Sequence, residues 1–212
     1  MPKPRMLIVA GPPGAGKSSL FALSALSDRI FNADDRAAAL NGGSYQSIPL
    51  SVRAIVNREF ERYVHASIEA GESFALETTL RSTITFEQAK LARANGFEVA
   101  MIYVALDTVE HHIDRVKRRA ARGGHSASEA TLRRIHSSSM ANLPVALDPN
   151  ASGIDSLTIY DNSDSEGEPF LALEAFDGKV VRMSDHFLLW LQSALHWSDA
   201  DLAKSRAAVS GR

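Results

Sequence analysis

The chain has 212 residues, no cysteine, and 23 Lys and Arg against 25 Asp and Glu, which leaves a net charge of −2. This length suits one α/β domain with a buried core and is too short for two ordinary domains, so we expect a single domain over residues 1–212. The balanced charge gives no basis for a nucleic-acid or membrane partner, and the lack of cysteine excludes disulfides and thiolate metal sites.

The charge is unevenly distributed along the chain. Residues 115–134 hold seven basic side chains and one acid, whereas residues 155–174 hold six acids and no base. A basic cluster in a near-neutral protein suggests a small polyanionic ligand. No secretory signal or membrane-spanning apolar run is apparent, so we expect a cytoplasmic protein.

A phosphate-loop pattern, G-x-x-x-x-G-K-S, lies between an apolar strand at residues 6–10 and a helix that we expect to continue to about Ser27. The backbone N–H groups of such a loop bind phosphate, its lysine reaches the outer phosphates, and its serine binds Mg²⁺. A glycine-rich loop without a ligand is the alternative, but it does not explain Lys and Ser after the last glycine. The predicted ATP ligands are Gly11, Pro12, Pro13, Gly14, Ala15, Gly16, Lys17, Ser18 and Ser19, with Ser18 also on Mg²⁺.

Strands and helices alternate along the next hundred residues. A short second strand is expected at 29–32, and apolar spacing predicts a helix over 51–70 that stops at Gly71. A third strand at 73–79 precedes a helix at about 85–95. The continuous apolar run at 98–106 is typical of a strand that is covered on both faces.

Two capping-box patterns then open two helices. The first, at 107–110, begins the helix that carries the arginines, and the second, at 126–129, begins a helix to about residue 142. A fifth strand is expected at 157–160. Residues 170–183, interrupted by Asp177 and Gly178, predict a hairpin with a two-residue turn, and a helix follows from Ser184 with Phe187, Leu188, Leu191 and Leu195 on its inner face.

This alternation predicts a three-layer α/β/α sandwich of the phosphate-loop kinase type. Its mainly parallel sheet has about five strands, with a small β-hairpin and a C-terminal helix added at about 168–208. Ligands of such sheets bind at the carboxyl ends of the strands. That rule gathers the polar side chains at the strand ends around one cleft: Ser18, Asp34, Glu77, Asp107 and Asn162.

Acidic side chains at these ends are the candidates for chemistry. Asp34 is placed to accept a proton from a substrate hydroxyl, or alternatively to cap the following helix, a role that we assign to Asp35. Asp107 fits a helix cap better than a metal-binding acid. Three residues at or just after the C-terminal end of the third strand are predicted to bind substrate, with a plain surface turn as the alternative: Glu77, Thr79 and Arg81.

Arg115, Arg119 and Arg122 have the spacing of one helix face. They are predicted to clamp the transferring phosphoryl group, with a solvated basic face as the alternative. The glycines at 123 and 124 favour a lid over about residues 115–128 that includes His125. Three further histidines have no other potential metal ligands at a suitable spacing, so we interpret them as surface or packing residues: His111, His112 and His136.

Taken together, the chain resembles the zeta-toxin family of phosphate-loop kinases over about residues 6–163. The resemblance rests on the order and spacing of residues 11–18, 32–34, 77–81, 96–99, 115–119, 123–125, 142–143 and 160–162. It implies Mg²⁺- and ATP-dependent phosphorylation of a sugar hydroxyl on UDP-N-acetylglucosamine, and a small helical antitoxin as partner. It also implies roles for individual residues: Lys17, Asp34, Arg115 and Arg122 in catalysis, with Asp34 as general base; Arg119 and Asn162 on ATP; and Asp34, Glu77, Thr79 and Arg81 on the acceptor.

Three other functions remain open at this point. The acceptor is alternatively another hydroxyl compound, such as an antibiotic, a nucleoside or a simple sugar. A second alternative is a nucleotide-dependent switch whose output is a protein contact. The sequence has no Asn-Lys-x-Asp or Thr-Lys-x-Asp segment of the kind that selects guanine. The last alternative is an inactive family member that only binds its partner.

Overall fold

The described residues of the computed structural model are 2–22, 27, 29–122, 127–164, 167–185 and 188–210. Within these ranges one sheet contains seven strands, namely β1 (Arg5–Ala10), β2 (Ile30–Phe31), β3 (Phe74–Thr78), β4 (Glu98–Ala105), β5 (Ser156–Asp161), β6 (Phe170–Phe176) and β7 (Lys179–Met183). The helices of the same ranges are α1 (Lys17–Leu20), α2 (Ala33–Leu40), α3 (Leu50–Glu69), α4 (Ile84–Ala94), α5 (Val109–Ala121), α6 (Glu129–Leu147), α7 (Pro149–Ser152), α8 (Leu189–Leu195) and α9 (Asp199–Ser210).

The strand order of the sheet is β2-β3-β1-β4-β5-β6-β7. The first five strands are parallel, whereas β6 and β7 are antiparallel to their neighbours. The three-layer α/β/α fold is therefore as predicted, but the two strands of the hairpin join the sheet and raise the strand count from about five to seven. Asp177 and Gly178 have positive φ angles of 48° and 72°, as a tight primed hairpin turn requires.

The parallel strands end side by side. Ala10 at the end of β1 pairs with Thr78 of β3 on one side and with Tyr103 of β4 on the other. The loop after β1 therefore lies between the ends of β3 and β4, where ligands of such sheets bind.

Both faces of the central strands are buried. Side chains alternate across a strand, so Met6 and Ile8 of β1 face the main core, and Leu7 and Val9 face a smaller cluster on the opposite side. Helices α3, α4, α6 and α8 contribute apolar side chains to the main core. This two-sided burial explains the continuous apolar run predicted for β4.

The helix after the phosphate loop is shorter than predicted. It ends at Leu20 and not near Ser27, because Phe21 leaves the helical region with φ −128° and ψ 72°. Its ring packs against the Leu7 and Val9 cluster and lies 5.2 Å from the ring of Tyr160. Phe21 thus covers this second face of the sheet. Residues 23–26 and 28 lie outside the described residues.

Three helix caps differ from the predicted ones. Asn32, and not Asp35, caps α2 by accepting from the N–H groups of Asp34 and Asp35. Thr108, one residue after Asp107, caps α5. Ser128 caps α6, and the predicted cap Ser126 lies outside the described residues. In each case a neighbouring Asn, Thr or Ser supplies the oxygen that the first turn needs.

The C-terminal half shows two more differences. Helix α6 continues past Pro144 to Leu147, because Leu143 and Ala146 are packed in the main core. The single helix predicted from Ser184 is instead α8 and α9, separated at His196, whose φ of 55° is left-handed. Phe187 lies outside the described residues, and Leu188, Leu191 and Leu195 pack against the main core as predicted. Within the described part of the chain, no helix has both the length and the apolar character needed to cross a membrane.

Candidate functional site

The phosphate loop connects β1 to α1 at the centre of the sheet edge. Its lysine, Lys17, is 6% exposed, and Nζ donates to the carbonyls of Gly11 at 2.8 Å and Pro12 at 3.2 Å. Burial lowers the pKa of Lys17 from its usual value, while the negative charges of Glu77 and Asp34 oppose that shift. Two carboxylates from neighbouring strand ends therefore act on the lysine of the loop.

Glu77, near the end of β3, contacts both functional side chains of the loop. Ser18 Oγ donates to Glu77 Oε2 at 2.8 Å, and Lys17 Nζ lies 3.7 Å from Glu77 Oε1. The pairing of β1 with β3 causes this contact, because it sets Glu77 level with Val9, the second-to-last residue of β1 before the loop. The structure thus places Glu77 at the phosphate loop, whereas the resemblance implied the acceptor pocket.

Two other side chains hold carbonyl groups of the loop. His112 of α5 is 2% exposed; its Nδ1 lies 3.0 Å from the carbonyl oxygen of Pro13, and its Nε2 accepts from the N–H of Leu106 at 3.1 Å. Asn162, directly after β5, donates from Nδ2 to the carbonyl of Ala15 at 2.8 Å. Both contacts hold loop carbonyls, and thus fix the orientation of the peptides after Pro13 and Ala15.

The glycines of the loop are required by this packing. Gly14 and Gly16 have positive φ angles of 84° and 95°. A Cβ at Gly14 would lie 2.5 Å from the carbonyl oxygen of His112, and one at Gly16 would lie 2.5 Å from Asn162 Nδ2. Any side chain would therefore push α5 or the end of β5 away from the loop.

Two arginines of α5 line the cleft above the loop. The cleft has a volume of about 250 Å³, and Arg115 Nη2 donates to the carbonyl of Asn162 at 2.8 Å. The positive charge of Arg119 acts to lower the pKa of Lys17, so these two cations lie near each other. The cleft is lined by Gly14, Gly16, Ser19, Leu20, Arg115, Arg119 and Asn162.

The rest of the predicted lid is only partly described. Arg122 is the residue directly after α5, where the helix ends. Residues 123–126, which include the two glycines and His125, lie outside the described residues. The lid prediction therefore stays a prediction.

Asp34 lies in the first turn of α2, whose N-terminus follows β2. Its charge acts on Lys17 and also on Tyr45, the aromatic residue of the next loop. Tyr45 donates from its hydroxyl to Asp35 Oδ1 at 2.8 Å. The negative charge of Asp34 thus acts both on the phosphate loop and on the loop that carries Tyr45.

Arg81 and Thr79 follow the end of β3 and are separated by Leu80. Leu80 is fully buried with a φ of 53°, and its carbonyl accepts from Asn142 Nδ2 at 2.8 Å. Thr79 is half-buried, and Arg81 is exposed at a second cleft of about 300 Å³. That cleft is lined by Arg81, Arg134, Ile135 and Ser138, the last three from α6.

The predicted site residues therefore divide into two groups. Lys17, Ser18, Glu77, Asn162 and the arginines of α5 surround the phosphate loop, with Asp34 close to Lys17. Arg81 lines the separate cleft beside α6.

Asp107 contacts the helix that follows it and not the cleft, since its Oδ1 lies 2.6 Å from His111 Nδ1 of α5.

Sequence reasoning missed the roles of His112, Arg134 and Ser138 in lining or holding these clefts. The position of His112, three residues before Arg115 on the same helix, was the available signal for one of them.

Comparison with protein families gives one match. Residues 6–140 match the family model that is described as an AAA domain. A curated relative, an uncharacterized protein of Haemophilus influenzae, is 28% identical over 130 residues, which are 59% of this chain and 87% of that protein.

Solved structures with little sequence identity share the fold. The AvrRxo1-ORF1:ORF2 complex superposes with a TM-score of 0.65 at 14% identity, over 99% of this chain and 76% of that one, and it has also been solved with ATP. A structure from the PezAT chromosomal toxin–antitoxin system of Streptococcus pneumoniae superposes with a TM-score of 0.57 at 15% identity, over 100% and 88%. At these identities the likeness concerns the fold.

Proposed function

Since this chain belongs to the AAA domain family and has the fold of phosphate-loop kinases, we propose that it is an ATP- and Mg²⁺-dependent small-molecule kinase. Its preferred acceptor is a sugar hydroxyl of UDP-N-acetylglucosamine or a related nucleotide sugar. The observation that carries the proposal is the convergence on Lys17 of two carboxylates, Glu77 and Asp34, and of the arginine helix α5. Phosphoryl transfer requires such a set of positioned charges.

ATP is the donor and binds at the phosphate loop. Lys17 Nζ donates to the carbonyls of Gly11 and Pro12 and would exchange these contacts for the outer phosphates when ATP binds. The fold neighbour that has been solved with ATP supports this choice. Because ATP is the donor, the protein would act in the cytoplasm.

Ser18 and Glu77 fit a magnesium ion. Mg²⁺ prefers oxygen ligands and is usually bound by one or two protein side chains together with substrate phosphates. The Ser18 hydroxyl and a Glu77 carboxylate oxygen lie 2.8 Å apart beside the phosphate loop, and both are hard oxygen donors. The ion would neutralise charge on the phosphates of ATP when bound. We therefore assign Glu77 to the metal, in place of the acceptor pocket.

Asp34 is the general base of the proposed reaction. Its carboxylate accepts the proton of the acceptor hydroxyl while that oxygen bonds to the γ-phosphorus. The bond between the γ-phosphorus and the bridging oxygen of the β-phosphate breaks, and ADP leaves. Lys17, Arg115 and Arg122 stabilise the charge on the transferring group, and Arg119 binds ATP.

The second cleft favours an acceptor with negative charge. Arg81 and Arg134 bring two guanidinium groups to it, and Ser138 adds a hydroxyl. Guanidinium groups suit phosphate oxygens because they donate two parallel hydrogen bonds. A nucleotide sugar carries a diphosphate, whereas a neutral antibiotic, nucleoside or simple sugar does not. Arg81 therefore serves acceptor binding, with Thr79 at the turn beside it.

The test is transfer of labelled phosphate from ATP to a panel of acceptors by the purified protein. The panel contains UDP-N-acetylglucosamine, N-acetylglucosamine and uridine, so the charged compound is compared with its neutral parts. We expect transfer to the nucleotide sugar at a kcat/KM at least tenfold above that for either neutral part. No transfer, with ATP binding intact, would remove this acceptor.

Asp34→Asn separates the kinase from a nucleotide-dependent switch. A kinase loses its base, so turnover falls while the Kd for ATP stays within about threefold of wild type. A switch has no substrate proton to remove and tolerates the change. Equal turnover in the variant and the wild type would contradict the assignment of Asp34.

A protein partner is part of the proposal. One fold neighbour belongs to a toxin–antitoxin system and another was solved as a complex of two proteins, which supports a protein partner for this chain. We propose that this partner is the small helical antitoxin that the resemblance implies. Expression of the wild type should then arrest growth, and Asp34→Asn should relieve the arrest. Arrest by both forms would contradict toxicity through phosphotransfer.

A further inference from the structure

Two carbonyls of the phosphate loop are held by hydrogen bonds from side chains. His112 binds the carbonyl of Pro13 at 3.0 Å, and Asn162 binds the carbonyl of Ala15 at 2.8 Å. A carbonyl oxygen only accepts, so His112 carries its proton on Nδ1, and Nε2 is the acceptor for the N–H of Leu106. The ring thus joins the loop to the end of β4 as a neutral histidine of one tautomer.

These bonds determine the direction of the loop amides. A trans peptide is planar, and its C=O and the following N–H point in opposite directions. His112 is not among the residues that line the cleft, so holding the Pro13 carbonyl toward His112 turns the N–H of Gly14 to the opposite side of the peptide. The backbone N–H groups of a phosphate loop are the ones that it offers to its ligand.

The same helix links the two holding side chains. Arg115, one turn after His112 on α5, donates to the backbone carbonyl of Asn162 at 2.8 Å. The backbone N–H of Asn162 in turn donates to Ala105 of β4 at 2.9 Å. His112, Arg115 and Asn162 therefore connect α5 to the phosphate loop through hydrogen bonds. A shift of α5 would move the loop amides and the arginines together.

We propose that His112 is a positioning residue that holds the phosphate loop and the arginine helix in the register that binds a triphosphate. This role rests on the proposed function, since it concerns the ATP end of that site. His112 touches no phosphate; it acts through the Pro13 carbonyl on the Gly14 amide and through α5 on Arg115. Phosphate affinity therefore depends on the donor at Nδ1.

Two amide variants separate the loop contact from the strand contact. The amide of Asn lies near the position of Nδ1, so His112→Asn keeps a donor for Pro13 and loses the partner of Leu106. The longer Gln reaches the position of Nε2, so His112→Gln keeps the partner of Leu106 and loses the donor for Pro13. A role in stability alone predicts that both variants behave alike in binding.

The measurement is the Kd of ATP and of pyrophosphate, with the melting temperature of each variant recorded in parallel. We expect His112→Gln to weaken binding of both ligands about tenfold, the effect of one lost hydrogen bond, and His112→Asn to stay within about threefold of wild type. The KM of the acceptor should not change in either variant. Equal affinities in both variants, whether retained or lost, would overturn the proposal.

A second measurement needs no variant. Nitrogen NMR of the wild type should show the His112 ring neutral and protonated on Nδ1 at pH 7. A ring protonated on Nε2 would overturn the proposal even if neither variant folds. If the wild type binds ATP but phosphorylates no acceptor, the proposed kinase function fails. The ratio between the ATP Kd values of His112→Gln and His112→Asn still decides the role of His112.

Discussion

Glu77 contacts both the lysine and the serine of the phosphate loop, which makes it the sharpest test of the metal assignment. Glu77→Gln keeps an oxygen for the Ser18 hydroxyl but loses the negative charge that Mg²⁺ and Lys17 require. We expect kcat to fall roughly 100-fold and more Mg²⁺ to be needed for half-maximal rate. A Mg²⁺ titration of phosphate transfer measures both effects.

Glu87→Gln is the matched control for this change. Glu87 is an exposed residue of α4 whose carboxylate pairs with Lys90 at 3.2 Å. We expect this variant to differ from the wild type by less than about twofold, as is usual for an exposed pair. An unchanged Mg²⁺ dependence in Glu77→Gln would remove Glu77 from the metal site.

His112 also links stability to pH. Burial, assisted by the nearby His136, lowers the pKa of His112 to about 3. The pKa of a histidine in the unfolded chain is near 6.5. Below about pH 6.5 the unfolded chain therefore binds a proton at His112 that the folded chain does not bind, and the free energy of unfolding falls as the pH falls. This contribution approaches about 1.4 kcal/mol per pH unit below pH 6.

Urea unfolding of the wild type and of His112→Asn between pH 4.5 and pH 7 tests this link. The variant lacks the titrating ring, so its free energy of unfolding should depend less steeply on pH. All other groups are common to both proteins and cancel in the difference. Parallel curves would show that His112 is not buried as a neutral ring.

At the scale of the element, α5 carries arginines on two different sides. Arg115 is half-buried and contacts Asn162, whereas the side chain of Arg118 is 74% exposed and pairs with Asp114 at 2.8 Å. If one face of the helix serves the nucleotide, Arg115→Ala should lower kcat/KM for ATP by roughly 100-fold and Arg118→Ala by less than about twofold. Steady-state kinetics with varied ATP measures this ratio. Equal effects of the two changes would favour the solvated basic face.

At the scale of the whole molecule, we propose that residues 1–212 fold as one domain. The sheet runs without interruption from β2 to β7, and α8 packs into the main core with Leu191 and Leu195. Leu195→Ala should therefore destabilise the whole protein by about 2–4 kcal/mol, whereas Leu189→Ala, at a residue that is 71% exposed, should change stability by less than about 0.5 kcal/mol.

Unfolding followed by circular dichroism and by tryptophan fluorescence tests the one-domain proposal. Trp190 and Trp197 both pack against the main core, so their fluorescence reports on the C-terminal region. For a single cooperative unit the two transitions coincide in the wild type and shift together in Leu195→Ala. Separate transitions would show that the C-terminal hairpin and helices unfold independently.

Local pattern by itself determined the order of the elements, the phosphate loop and the three-layer fold, because spacing along the chain sets strand alternation, helix faces and the backbone of the loop. It failed at helix ends such as Leu20, where packing of Phe21 on the sheet outweighs helical spacing. Only the tertiary structure decided which side chains meet at the loop. Ser18 and Glu77 are 59 positions apart, Pro13 and His112 99, and Ala15 and Asn162 147. Such contacts follow from strand order and register, which place distant residues at one sheet edge, and no local spacing encodes them.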